Sequence, residues 1–117
     1  MTHLIVSDVT LTFGGLNALA KVDITIEPSI ITSIIGPNGA GKTSVLNCIS
    51  GFYHPNEGTI YYGERNLTHA SPHQISNIGI ARAFQNLELF SGLSVLDNLL
   101  LARHQNLNYS IFHALIY

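Results

Sequence analysis

Apolar residues fall in short bursts whose spacing changes along the chain. Residues 4–13 alternate with a break in the middle, and residues 21–27 alternate cleanly, which places Val22, Ile24 and Ile26 on one face. Both runs predict strands. Gly14-Gly15 lies between them, so an antiparallel pair is expected, joined by a connection longer than a tight hairpin. Pro28-Ser29 marks a turn, and the β-branched run at 30–35 reads as a buried strand. A helix is expected over residues 42–50, turning Val45, Leu46 and Ile49 to the sheet and capped by Gly51. A loop with Pro55, Asn56 and Gly58 leads to a strand at 59–62, stopped by Gly63. Ser71-Pro72-His73-Gln74 has the form of a capping box, starting a helix that ends near Gly79. Residues 80–83 read as another buried strand. Ser94 with Asp97 opens a last helix, on which Leu96, Leu99 and Leu100 share a face.

Composition narrows what such elements can do. A chain of 117 residues builds one small core. Its 46% hydrophobic and 10% charged content implies either a surface covered by a partner or an incomplete chain. Five Lys plus Arg and a formal net charge of -2 exclude a basic nucleic-acid surface. Cys48 is the only cysteine and reads as a small core residue; no disulfide framework is available. The six histidines are scattered without ligand-like spacing, and no Ser-His-Asp or paired-carboxylate arrangement is assignable. No apolar stretch is long enough to span a bilayer.

One stretch carries chemistry. Gly36-Pro37-Asn38-Gly39-Ala40-Gly41-Lys42-Thr43 fits the phosphate-binding pattern G-x-x-x-x-G-K-[ST] at each fixed position, between the expected strand and helix. Glycines let successive backbone N–H groups converge on clustered anionic oxygens, and the helix start adds its unpaired donors and positive dipole end. Lys42 is placed to reach the β- and γ-phosphates, and the Thr43 hydroxyl to hold Mg²⁺ against the same oxygens. The bland alternative is a glycine-rich turn before an ordinary helix. By composition that coincidence arises in roughly one chain in a few hundred of this length. Phe13, at the edge of the Gly14-Gly15 connection, is either a core ring or a platform for a planar ligand.

Phe13-Gly14-Gly15-Leu16, the phosphate loop, Gly58-Thr59-Ile60 and Arg82-Ala83-Phe84-Gln85 together resemble the first part of an ATP-binding cassette ATPase. Asn47-Cys48-Ile49-Ser50-Gly51-Phe52-Tyr53 and Ala83-Phe84-Gln85-Asn86 followed by Leu89-Phe90 resemble the cassettes of branched-chain amino-acid importers in particular. The resemblance implies an α/β fold of the P-loop nucleoside triphosphate hydrolase type. An antiparallel β pair would stand beside an incomplete, mainly parallel sheet with helices. It implies ATP and Mg²⁺ as ligands. Phe13 would stack on adenine, and Gly36, Pro37, Asn38, Gly39, Ala40, Gly41, Lys42 and Thr43 would hold the phosphates. Ser44 would touch the α-phosphate, and Gln85 would contact Mg²⁺ and the attacking water. The implied partners are membrane-spanning permease subunits and a second cassette, with the chain peripheral to the cytoplasmic face of the membrane.

Residues 1–117 correspond to the opening portion of the family domain. The later signature loop, the apolar strand ending in Asp and a catalytic Glu, and the switch histidine have no counterpart in this sequence. Expected functions are therefore two: the nucleotide-binding front of an importer's ATPase subunit, or a truncated, non-catalytic cassette that binds nucleotide or a permease. Turnover of ATP by the chain alone is not expected. Ser29-Ile30 departs from the Gly-Glu usual in the family, which bears on the turn entering the phosphate loop.

Overall fold

The computed structural model describes residues 2–83 and 89–103. The chain divides into two units, one ending at Arg82 and the other beginning at Ala83. In the first unit, β1 (Leu4–Phe13) pairs antiparallel with both β2 (Leu16–Ile26) and β3 (Glu57–Tyr62), and β4 (Arg65–Asn66) extends the sheet to the order β2-β1-β3-β4. Helix α1 (Lys42–Ile49) contributes to the core beside this sheet, and α2 (Pro72–Asn77) follows β4. The second unit contains α3 (Val95–Ala102).

The broken alternation of β1 has a structural cause. Leu4, Val6, Val9 and Leu11 are all buried, although the first two and the last two differ in parity. Asp8 sits between them at a φ of 51, and the pairing register shifts there. One extra residue resets the period, so both halves of the strand face the core. The irregular backbone is satisfied locally, since the Asp8 N–H donates to Asp23 Oδ1 at 2.8 Å. β2 repeats the device at Lys21, with a φ of 48, between buried Leu19 and the half-buried Val22, Ile24 and Ile26. There the Lys21 N–H donates to Thr10 Oγ1 at 3.2 Å.

The connection between these strands is tighter than the sequence suggests. Phe13 pairs directly with Leu16, and Gly14 and Gly15 have φ values of 52 and 86. Positive φ at both central positions is the two-residue turn whose twist matches that of the flanking strands, and glycine takes it without a Cβ penalty. β2 accordingly starts at Leu16, well before residue 21.

Helix α1 turns Val45, Cys48 and Ile49 inward, while Leu46 is 42% exposed, so Cys48 takes the core position expected of Leu46. Burial pushes the Cys48 thiol pKa above its ordinary value. At the C-terminus the Gly51 N–H donates to Cys48 O at 3.1 Å and the Phe52 N–H to Asn47 O at 2.9 Å. This is the paired 5→2 and 6→1 bonding of a Schellman end. The anticipated capping box of Ser71 with Gln74 is present on α2, and on α3 the expected cap Ser94 forms a box of its own with Asp97.

Two expected strands do not form ladders. Residues 30–35 and 80–83 carry no strand pairing among the described residues, and Ile31 is 97% exposed. A buried parallel strand needs neighbours on both edges and cover on both faces. The described sheet is antiparallel throughout and supplies neither to these segments. Ile34 and Ile80 nonetheless pack against the core, so each segment is anchored by one apolar side chain. No helix of the described residues is long and apolar enough to cross a membrane.

Candidate functional site

The start of α1 differs from the starts of the other two helices. α2 and α3 each receive a side-chain acceptor on their first-turn N–H groups, whereas the N-cap of α1 is Gly41 and provides none. A helix start leaves its first N–H groups without intrahelical partners, and an anion with several oxygens satisfies them together.

Gly41 is fixed by space as well as by backbone angle. It lies at a φ of 85, and a Cβ there would stand 2.7 Å from Ala18 O and 2.8 Å from Leu19 Cδ2. The helix start is thus pressed against β2 closely enough that only a hydrogen fits. Ahead of it the loop closes on itself: the Ala40 N–H donates to Pro37 O at 3.3 Å. The Lys42 ammonium donates to Gly36 O at 2.8 Å and to Pro37 O at 2.6 Å, reaching back over the loop from the first helical turn. Its charge is held over the loop by these two carbonyl oxygens.

A cavity of about 420 Å³ opens between this loop and the sheet. One wall is Leu16, Asn17 and Ala18 of β2; the other is Asn38, Gly39, Gly41, Lys42, Thr43 and Ser44. The volume falls in the range usual for small-ligand sites. Among the described residues the wall holds one cation and no carboxylate, which suits a polyanion. Thr43 and Ser44 bring hydroxyl groups, and among the described residues no cluster of three or more His, Cys, Asp or Glu could hold a metal by itself. A divalent cation here would depend on a hydroxyl such as that of Thr43 together with oxygens of a bound phosphate, a donor set of the hard kind Mg²⁺ takes.

Phe13 stands at the end of β1, 48% exposed, and pairs with Leu16, which belongs to the cavity wall. It is not a core ring. The ring meets Tyr53 edge-to-face, with centroids 5.1 Å apart and an interplanar angle of 73°. Gln85 lies outside the described residues. The β2 wall of the cavity was not legible as a site in the sequence, although small Ala18 opposite Gly41 is its local sign.

Residues 19–115 match the sequence profile of the family described as ABC transporter. The high-affinity branched-chain amino acid transport ATP-binding protein LivG of Escherichia coli K12 is 43% identical over 111 residues, covering 95% of this chain and 44% of LivG. BraF of Pseudomonas aeruginosa, named for the same kind of transport, is 44% identical over 103 residues, covering 88% of this chain and 40% of BraF. The chain therefore spans less than half the length of these relatives. A nucleotide-free ATP-binding cassette of an ABC transporter superposes with a TM-score of 0.79 at 34% identity, over 100% of this chain and 46% of that one. A cassette in its ADP conformation gives a TM-score of 0.81 at 33% identity, again over 100% and 46%. The fold class is that of a P-loop cassette, as anticipated from the sequence, with its described sheet limited to the antiparallel strands.

Proposed function

The chain belongs to the ABC transporter family, and we propose that it is the nucleotide-binding front part of an ATP-binding subunit that powers solute import. The observation that carries this reading is the uncapped start of α1, packed against β2 at Gly41, with Lys42 folded over the loop and both facing one cavity. Backbone N–H groups of the loop and helix start bind the phosphates of ATP, with Gly36, Pro37, Asn38, Gly39, Ala40 and Gly41 shaping the loop. The Lys42 ammonium pairs with the β- and γ-oxygens, Thr43 supplies a hydroxyl for Mg²⁺, and Ser44 adds an α-phosphate contact. Phe13 stacks on the adenine. Gln85 touches the Mg²⁺ and positions water. Replacing Lys42 with Ala removes a charge-assisted contact and is expected to cost about 1.5 to 3 kcal/mol of Mg-ATP binding. Coincident titration curves for folded wild type and Lys42→Ala would overturn the reading.

The relatives named for branched-chain amino acid transport support that class of solute. The partners of such a subunit are membrane-spanning permease subunits and a second cassette, which keep it at the cytoplasmic face of the membrane. In the second unit Leu89, Phe90 and Leu93 are exposed. Helix α3, which follows them, has no buried residue of its own. A loop that presents apolar side chains to solvent suits docking to a permease. Phe90→Asp in the assembled transporter is expected to reduce co-purification with the permease while nucleotide affinity stays as in wild type. Normal co-purification with lost ATP binding would assign the segment to the core.

A second reading, a cassette that binds nucleotide without hydrolysing it, is supported by the lack of a carboxylate among the described residues of the cavity wall. Hydrolysis needs a group to take or polarise the proton of the attacking water.

A further inference from the structure

Phe13 is the last residue of β1, and half of its side chain lies in solvent. A ring so placed at the end of a hairpin keeps its rotamer freedom unless something beside it removes that freedom, and a free ring is a poor platform. The segment between α1 and β3 does remove it. The Tyr53 ring stands 5.1 Å from that of Phe13 at 73°, the edge-to-face arrangement that aromatic pairs favour. Asn56 fastens the same segment to the strand one residue before Phe13. Its Oδ1 accepts from the Thr12 N–H at 2.7 Å and from Thr12 Oγ1 at 3.1 Å, and its own N–H donates to Thr10 O at 2.9 Å. These bonds continue the β1–β3 pairing past its last regular partners, Thr10 and Glu57. Tyr53 is held in turn, since its N–H donates to Asn47 O at 3.2 Å, the carbonyl that also ends α1.

We infer that Tyr53 and Asn56 are positioning residues for base recognition: Asn56 fixes the end of β1, and the Tyr53 ring sets the plane of Phe13 for stacking on a purine. This rests on the reading of the cavity as a nucleotide site. Neither residue lines that cavity wall, so their effect falls on the base and spares the triphosphate. The helix that begins at the phosphates thus ends at the support of the base platform, and one element spaces the two halves of the ligand.

The test compares Mg-ATP with inorganic tripolyphosphate as competing ligands of the chain, in wild type, Tyr53→Phe, Tyr53→Leu, Asn56→Ala and Phe13→Ala. Tyr53→Leu is expected to weaken ATP about threefold to tenfold, the worth of an edge-to-face pair, and to leave tripolyphosphate unchanged. Tyr53→Phe should behave as wild type, because the ring edge is retained. Asn56→Ala should move the same ratio in the same direction. Equal weakening of both ligands by Tyr53→Leu and Asn56→Ala, or no change in either, would overturn the inference and leave the phosphate site standing. Failure of wild type to bind tripolyphosphate and ATP would overturn both.

Discussion

Ser29 has a side chain where the backbone favours none. Its φ of 63 lies in the left-handed region, at the turn that leads from β2 toward the phosphate loop. The sequence shows Ser29-Ile30 where the resembling family has Gly-Glu, and the structure keeps a glycine-like backbone there all the same. Such a residue costs of order 1 kcal/mol. Ser29→Gly is therefore expected to raise the stability of the chain by about 0.5 to 1 kcal/mol, read as an upward shift of the urea midpoint at constant slope. An unchanged or lowered midpoint would show that the turn carries no strain. Single residues were also where the sequence was most informative about the site. Gly41, Lys42 and Thr43 were legible because a phosphate loop has fixed spacing and each position a distinct physical job. Tyr53 and Asn56 were not, because their roles arise from a contact with β1 across a long sequence separation that no local pattern encodes.

At the level of elements, local signals are legible in the sequence, whereas pairing beyond the β1–β2 hairpin is not. Both helix caps, Ser71 and Ser94, are legible from the sequence, since a cap involves only its own first turn. The bulges at Asp8 and Lys21 appeared in the sequence as broken alternation in β1 and as a late start to β2. The run at 30–35 looked like a strand by composition, yet a strand exists only where a neighbour accepts its hydrogen bonds. Within the second unit the decisive side chain is Asn98 of α3. Its Oδ1 accepts from the Phe90 N–H at 3.0 Å, and its Nδ2 donates to Phe90 O at 3.2 Å and Ser94 O at 3.0 Å. One amide thereby holds the loop that displays Phe90. Asn98→Ala is expected to speed amide exchange at Phe90 severalfold and leave β1 and β3 unaffected, as measured by hydrogen exchange. Unaltered exchange at Phe90 would show that the loop is held by other means.

For the molecule as a whole, the described residues place the exposed ring of Phe13 and the glycine-rich loop with Lys42 in one unit and put no acidic group at the cavity. Purified chain is expected to bind Mg-ATP and release no phosphate above the level of Lys42→Ala, followed by a coupled phosphate assay. Phosphate release that Lys42→Ala abolishes would show that a proton acceptor exists elsewhere in the chain. The segment at 30–35, anchored by Ile34 but without a ladder partner among the described residues, has a further consequence for the affinity itself. The phosphate loop is tied to a folded helix at one end and to an unpaired arm at the other. If only a fraction of molecules holds that arm in the binding-competent arrangement, the apparent dissociation constant rises by the reciprocal of that fraction. Anything that pairs the arm as a strand would then tighten nucleotide binding without touching a single ligand-contacting atom. By linkage, bound nucleotide would strengthen the pairing by the same factor.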